Sequence, residues 1–190
     1  IGLGIPAEPL FRSSVLSYMK ILVTGGAGFI GSHLMRTLEA AGHEAIALDN
    51  LSTGLRENLL PHMKLIVMDV HDKAVEDVFQ KEHFDAVVHL AAQTLVSDSM
   101  ADPEHDMHEN IAGTVRILEC CRKYGVKRII FSSSAATYGD VADSALPISE
   151  TLPQQPLSFY GLTKKTAENY LELYRLAYGI DYVILRFANV

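Results

Sequence analysis

The sequence has few cysteines, no excess of basic residues and no long apolar run. Of its 190 residues only two are cysteines, Cys120 and Cys121, and neighbouring cysteines rarely pair with each other. A chain without a disulfide framework is typical of a reducing compartment, so we expect a cytoplasmic protein. The net charge of −7 argues against a nucleic-acid partner, because phosphate binding needs a basic surface. No apolar run reaches the roughly 18 residues of a membrane helix, so we expect no membrane partner.

Both ends of the sequence stand apart from the pattern between them. Residues 1–18 have no clear hydrophobic period and contain two prolines, so we expect a leader, a tag or a disordered arm there. The last residues, up to Val190, follow directly on an apolar strand. Domains rarely end with their last strand barely closed, so we expect residues 19–190 to be a cofactor-binding domain whose substrate domain is largely missing from this sequence.

Short apolar, β-rich runs alternate with helical patterns along the chain. The runs are Ile21–Thr24, Ala45–Leu48, Leu65–Met68, Ala86–Leu90, Arg128–Ser132 and Tyr182–Leu185. The helical patterns are Ile30–Ala41, Ala74–Lys81, Glu104–Tyr124 and Tyr160–Tyr178, and three of them are followed by a glycine, at Gly42, Gly125 and Gly179. This alternation predicts an α/β fold, a doubly wound parallel sheet of Rossmann type with strands buried on both faces. The irregular stretch between Gly139 and Leu157 is long enough to form a wall of a site.

A glycine-rich turn lies between the first strand and the first helix. Gly26, Gly28 and Gly31 fit the pattern G-x-G-x-x-G, and Gly25, Gly28 and Gly31 fit the related G-x-x-G-x-x-G. Glycine lets the backbone turn tightly and approach a pyrophosphate, and the free N–H groups at the start of the helix attract its negative charge. The turn therefore predicts a dinucleotide site.

Two acidic residues end the next two strands. Asp49 stands 24 residues after Gly25, where a carboxylate can accept both hydroxyls of the adenosine ribose and repel a 2′-phosphate. This favours NAD over NADP. Asp69 can hydrogen-bond the adenine amine, with Val70 packing nearby, although a cap for the following helix is an alternative role for Asp69.

Tyr160 and Lys164 lie four residues apart at the start of a predicted helix and therefore share a face. An ammonium group near a phenol stabilises the phenolate, so we expect the pKa of Tyr160 to fall from about 10 toward neutrality and the tyrosine to act as a base. Ser132, Ser133 and Ser134 end the fifth strand, where ligands of doubly wound folds bind, and we expect one of these hydroxyls to contact a ligand.

Taken together, these segments resemble the extended short-chain dehydrogenase/reductase superfamily, and within it the NAD-dependent epimerase/dehydratase family. The matching pieces, in order, are TGGAGFIGSHL, DNLSTG, HLAAQ, the segment from Asn110 to Thr114, FSSSAATYG, YGLTK and LRFANV. The resemblance covers residues 19–190, and within the family the chain looks most similar to the UDP-glucose 4-epimerase group.

The resemblance implies roles for individual residues. It makes Ser134, Tyr160 and Lys164 catalytic, with Lys164 also holding the nicotinamide ribose. It assigns contacts with the cofactor, or support of its site, to Gly25, Gly28, Phe29, Ile30, Gly31, Asp49, Asn50, Leu51, Ser52, Thr53, Gly54, Asp69, Val70, Leu90, Ala91, Ala92, Asn110, Ser132, Tyr160 and Lys164.

The resemblance also implies an activity: NAD-dependent epimerisation of a UDP-sugar, UDP-glucose or UDP-galactose, at C4 through a 4-keto intermediate. UDP-glucuronate epimerisation or decarboxylation, dTDP-glucose dehydration and non-catalytic NAD binding remain alternatives. Dehydration is disfavoured because Ser134 is followed by Ala-Ala-Thr-Tyr, where related dehydratases have a Thr-Asp-Glu type sequence. The family commonly forms homodimers that pair through the helices predicted here at Glu104–Tyr124 and Tyr160–Tyr178. We expect no metal site, because His105 and His108 have helical spacing but no clear third ligand.

Overall fold

The computed structural model describes residues 18–188, so the expected leader lies outside the described residues apart from Tyr18. The strands are β1 (Lys20–Thr24), β2 (Glu44–Asp49), β3 (Lys64–Val67), β4 (Ala86–His89), β5 (Arg128–Ser134) and β6 (Asp181–Phe187). The helices are α1 (Phe29–Ala40), α2 (Val75–Glu82), α3 (Val96–Ala101), α4 (Pro103–Met107), α5 (Gly113–Tyr124) and α6 (Phe159–Tyr178).

The six strands form one sheet in the order β3-β2-β1-β4-β5-β6, and every neighbouring pair is parallel. Side chains alternate across the sheet: Leu22 packs into one apolar cluster with Phe79 and Ile117, whereas Val23 packs into a second cluster with Met35 on the other face. Helices therefore cover both faces, and the predicted doubly wound parallel sheet is confirmed. The order reverses between β1 and β4, and folds of this class bind ligands at that point.

The prediction that all six strands are buried on both faces is wrong for the two edge strands. Val67 at the end of β3 is 62% exposed, and Val183 and Leu185 on β6 are 45% and 40% exposed. The inner strand β4 is buried throughout, as the prediction requires. An apolar run alone does not reveal whether both faces of a strand are covered.

Three helices end at the glycines that the sequence marked, but the interior of one predicted helix differs from the prediction. Gly42, Gly125 and Gly179 all adopt left-handed backbone conformations, with φ of 84°, 74° and 70°. The predicted helix Glu104–Tyr124 is interrupted by a π-helical turn at His108–Ala112 between α4 and α5, and the short α3 before it was not predicted. Among residues 18–188, no helix combines the length and apolar character needed to cross a bilayer.

Candidate active site

The glycine turn joins β1 to α1 at the carboxyl edge of the sheet. Gly25 has a φ of 68°, and its N–H donates to the carbonyl of Leu48 at 2.8 Å, which ties the turn to β2. A Cβ atom at Gly31 would lie 2.1 Å from the carbonyl oxygen of Gly25, so only glycine lets α1 begin this close to the turn. The first N–H groups of α1 have no carbonyl one turn before them to bind, and they remain available to an anion.

Asp49 is the last residue of β2, and its buried carboxylate binds both the glycine turn and the loop that follows β2. Its Oδ2 accepts a hydrogen bond from the N–H of Ala27 at 2.9 Å, and its Oδ1 accepts one from the N–H of Leu51 at 2.8 Å. Leu51 has a φ of 60°, a left-handed conformation unusual for leucine, and the bond to Asp49 stabilises it. Each oxygen keeps acceptor capacity for a further donor.

A cleft of about 350 Å³ opens between the turn and the ends of β1, β2, β4 and β5. It brings together fourteen of the residues predicted to bind cofactor: Gly25, Gly28, Phe29, Ile30, Gly31, Asp49, Asn50, Ser52, Thr53, Val70, Leu90, Ala91, Ala92 and Ser132. Four further lining residues were missed by the sequence argument: Leu48, Met68, Thr94 and Glu109. Leu48 and Met68 could have been found from their positions at strand ends, whereas no pattern marks Thr94 or Glu109.

Some predicted residues lie beside the cleft rather than in its wall. These are Leu51, Gly54, Asp69, Asn110, Tyr160 and Lys164. The Asp69 carboxylate accepts hydrogen bonds from the backbone N–H of His71 at 2.8 Å and from the side chain of Asn50 at 2.9 Å. Burial opposes ionisation of Asp69, but these two bonds outweigh it and hold the pKa of this carboxyl below its usual value. Asp69 therefore positions Asn50, which does line the cleft.

Tyr160 and Lys164 lie on one face of α6, which begins where the side chain of Ser158 accepts the N–H of Gly161 at 3.0 Å. Lys164 is buried, and its Nζ donates to the carbonyl of Ser132 at 2.9 Å. The same Nζ lies 5.8 Å from the centre of the Tyr160 ring. Burial lowers the pKa of Lys164 to about 8, although the negative charge of Asp106 opposes that shift.

The three serines at the end of β5 have different roles because side chains alternate along a strand. Ser133 points into the interior and donates to the buried carboxylate of Glu168. Ser134 lies on the opposite face, where its hydroxyl accepts the N–H of Ala136 at 3.1 Å and acts to lower the pKa of the nearby Tyr160 phenol. Ser134 is therefore the serine that the structure brings next to Tyr160.

One protein family matches nearly the whole chain. The model of the NAD dependent epimerase/dehydratase family matches residues 21–190. The chain belongs to this family.

Individual relatives agree. A UDP-glucose 4-epimerase of Lacticaseibacillus casei is 42% identical over 173 residues, which are 90% of this chain and 52% of that protein. The crystal structure of the Thermus thermophilus UDP-glucose 4-epimerase, a complex with NAD, is 42% identical with a TM-score of 0.86, covering 88% of this chain and 54% of that one. The Thermotoga maritima enzyme with UDP-glucose has a TM-score of 0.86 and 42% identity, covering 90% of this chain and 56% of that one. This chain spans about half the length of the relatives that it matches.

The cleft fits the dinucleotide that the family name implies. Gly28 borders it, and a Cβ atom there would meet only the carbonyl of Gly25, at 3.3 Å, so the space in front of the start of α1 is open. No acidic side chain lies in the first turn of α1, so nothing there competes with a pyrophosphate. The buried carboxylate of Asp49 also lines the cleft and can accept further hydrogen bonds there.

One expectation about the tyrosine is wrong in this structure. The pKa of Tyr160 is raised above its ordinary value of 10.0, not lowered, because the phenol is largely buried and because the negative charge of Asp106 opposes its ionisation. The hydroxyl of Ser134 works in the opposite direction but does not overcome burial. Lys164 shares a face with the tyrosine as predicted, yet its ammonium hydrogen-bonds the Ser132 carbonyl instead.

A buried polar network lies behind this pair. Asn110 donates through Nδ2 to Asp106 at 3.0 Å and to Thr163 at 3.2 Å, and its Oδ1 accepts the N–H of Gln93 at 2.9 Å. Thr163 in turn donates to Asp106 at 2.7 Å. Burial raises the pKa of Asp106. The network fastens the π-helical turn to α6 beside Lys164, and nothing in the sequence marked Asp106 as part of it.

Proposed function

We propose that this chain forms the cofactor-binding and catalytic part of an NAD-dependent epimerase that inverts C4 of a UDP-sugar, UDP-glucose or UDP-galactose. The observation that carries the proposal is the position of Ser132. This residue lines the dinucleotide cleft, and its carbonyl oxygen accepts a hydrogen bond from the ammonium group of Lys164. The catalytic pair and the cofactor site therefore meet at the end of β5.

The proposed cofactor is NAD, and the cleft supports it at both ends. The turn Gly25–Gly31 and the start of α1 would hold the pyrophosphate, and Asp49 would accept the adenosine ribose hydroxyls. When bound, NAD would supply the acceptor for the hydride that leaves C4 of the sugar and would return that hydride to the opposite face.

The residues of the chain would handle the proton. Tyr160 would accept the proton of the C4 hydroxyl at its phenolic oxygen, and Ser134, whose hydroxyl favours ionisation of the same phenol, would hold the sugar oxygen in place. Lys164, with a pKa of about 8, would be mostly protonated at neutral pH and would stabilise the phenolate. Reprotonation of the sugar oxygen by Tyr160 after hydride return would complete inversion at C4.

Two measurements test the proposal separately. Titration of the 190-residue chain with NADH, followed by nucleotide fluorescence, tests the cofactor. Conversion of UDP-galactose to UDP-glucose, measured on protein from the complete reading frame, tests the reaction. Tyr160→Phe should keep NADH binding and lose most turnover, and Phe159→Tyr, an exposed neighbour, is the matched control. A Tyr160→Phe protein with near-normal turnover would refute the base assignment.

We further propose a homodimer that pairs through α5 and α6, as the resemblance implied. Leu162, Tyr170 and Leu173 recur along α6 at helical spacing and are 47%, 37% and 60% exposed. An apolar stripe of this kind suits a second copy of the chain. Light scattering should give twice the chain mass, and Leu173→Glu should halve it. A cytoplasmic location remains a prediction that is consistent with the two unpaired, buried cysteines.

A further inference from the structure

Two histidines and a glutamate form a cluster at the border of the cleft, and none of the three belongs to the proposed catalytic set. His71 follows β3, and His108 and Glu109 lie in the π-helical turn. The Nε2 atom of His71 lies 3.3 Å from Oε1 of Glu109, and Nδ1 of His108 lies 3.5 Å from the same oxygen. The three potential ligand atoms all lie within 4.8 Å of one another.

The nitrogen of His71 that faces this cluster has no hydrogen-bond partner among residues 18–188. Its Nε2 atom is buried, and the nearby Glu109 oxygen lies outside hydrogen-bond geometry. A buried polar atom without a partner destabilises a protein by about 1–3 kcal/mol, so such atoms usually face a ligand or water. The histidine is thus available to a cation at this place.

The distances suit a small transition-metal ion. Zinc binds histidine nitrogen at about 2.0–2.1 Å and prefers a tetrahedron, in which neighbouring ligand atoms stand about 3.3 Å apart. The two distances to Glu109 Oε1, 3.3 Å and 3.5 Å, already match that spacing. We propose that His71, His108 and Glu109 form a three-ligand site for a divalent transition-metal ion such as Zn²⁺, with water in the fourth position.

Binding requires one movement. The imidazole rings of His71 and His108 are stacked, with centroids 4.0 Å apart and planes at 27°, whereas a shared ion must lie near the plane of each ring. His108 has a side chain that is 56% exposed, so it can turn out of the stack toward Glu109. His71 is held by its neighbour, because its backbone N–H donates to Asp69.

The other metal-binding candidates in the described chain are less suitable. His105 shares the helical spacing with His108 but is not part of the cluster. Cys120 and Cys121 are buried, and burial raises the pKa of both thiols, that of Cys120 to about 11, so neither offers a thiolate. The site borders the cofactor cleft because Glu109 lines both.

The test is calorimetric titration of the 190-residue chain, stripped of metal with EDTA, with Zn²⁺, compared with the variants His108→Gln, Glu109→Gln and His71→Gln. His105→Gln is the matched control, since it removes a histidine from the same helical segment. Substituting groups around a metal ligand commonly weakens affinity 10- to 100-fold, so loss of a ligand itself should weaken Zn²⁺ binding at least about tenfold. Melting curves in EDTA verify that each variant is folded.

We expect the wild-type chain to bind one Zn²⁺, with an affinity that the three cluster variants weaken and His105→Gln leaves unchanged. Co²⁺ bound in place of Zn²⁺ should give a visible spectrum of tetrahedral type. His108→Gln is the decisive variant, because its exposed side chain can be replaced without disturbing the fold. Wild-type affinity in folded His108→Gln, or equal loss in His105→Gln, would overturn the proposal. So would an octahedral Co²⁺ spectrum.

Discussion

Substitution of Asp49 by asparagine should reduce the preference of this chain for NADH over NADPH. The Asp49 carboxylate is buried in the wall of the cleft and accepts hydrogen bonds from two backbone N–H groups. In the proposed binding mode it faces the adenosine ribose, where NADPH carries a phosphate with a charge of about −1.5 to −2. Asparagine keeps the shape of the side chain and removes its charge.

The size of the effect follows from Coulomb's law. Two unit charges about 5 Å apart repel by about 3 kcal/mol at the effective dielectric constant of about 20 that applies near protein surfaces. The two N–H groups and solvent at the open side of the cleft reduce this repulsion by roughly half. The remaining repulsion is about 1.5 kcal/mol per unit of phosphate charge, or about 2–3 kcal/mol for a charge of about −1.5 to −2, which corresponds to a preference of about 30- to 150-fold, and Asp49→Asn should remove most of it.

The assay is fluorescence titration of wild type and variants with both nucleotides, and the measured quantity is the ratio of the two dissociation constants. The ratio matters because Asp49→Asn also weakens the bonds to Ala27 and Leu51 and so lowers the affinity for both nucleotides. Asp69→Asn is the matched control: it neutralises an acid that lies two residues after β3 and outside the cleft wall, and the ratio should not change. Equal affinities in wild type, or an unchanged ratio in Asp49→Asn, would refute the role of this carboxylate.

Three further outcomes are expected. Gly28→Ala should weaken NADH binding at least about tenfold while keeping the melting temperature, because the added methyl narrows the pyrophosphate space but meets only the Gly25 carbonyl; normal NADH affinity would contradict this. Lys164→Met should abolish turnover yet stabilise the chain at pH 7 by about 2 kcal/mol in urea unfolding, since the folded state lowers the lysine pKa to about 8. This difference in the free energy of unfolding should shrink between pH 8 and 10.5, because the unfolded wild-type chain binds more protons than the folded chain in that range. A difference that stays constant with pH would count against a buried ammonium. Glu82 is held between two lysines with a pKa of about 2, below its ordinary 4.5, so its stabilisation is complete above pH 4.5 and is lost as pH falls toward 2. Glu82→Gln should therefore lower the free energy of unfolding by about 2 kcal/mol at pH 7 and make it depend less on pH in acid. Identical acid unfolding curves for variant and wild type would disprove this contribution of Glu82.

The sequence was sufficient for most of the fold because each signal was local. The apolar runs place all six strands to within a few residues, and the three glycines mark helix ends that do adopt left-handed conformations. Properties that depend on neighbours were not predictable from these runs. Val67 and Val183 are as apolar as residues of the inner strands, and only the strand order leaves them exposed. The π-helical turn likewise places Asn110 against Thr163, a contact 53 positions distant.

The candidate site divides in the same way. Glycine positions, strand-end acids and the Tyr160–Lys164 spacing are local patterns, and most of the residues they indicated line the cleft or lie beside it. Glu109 and Asp106 carry no such pattern. They reach the site because a helical turn distant in sequence packs against α6 and the loop after β3. His105 and His108 have helical spacing, but the sequence showed no third ligand beside them, and it is the fold that brings His108 next to His71.

The pKa of Tyr160 shows why a motif does not determine its own electrostatics. Spacing of four residues places the lysine on the tyrosine's face, and an exposed pair would have a stabilised phenolate. In the folded chain Lys164 is buried and Tyr160 is partly buried, and desolvation penalises the phenolate and the ammonium at once, raising one pKa and lowering the other. Asp106 shifts both upward, so it helps to keep Lys164 protonated while opposing ionisation of Tyr160. A positive charge in the cleft next to Ser132 would act on the phenol in the opposite sense, so the base strength of Tyr160 depends on what occupies the cleft as well as on Lys164.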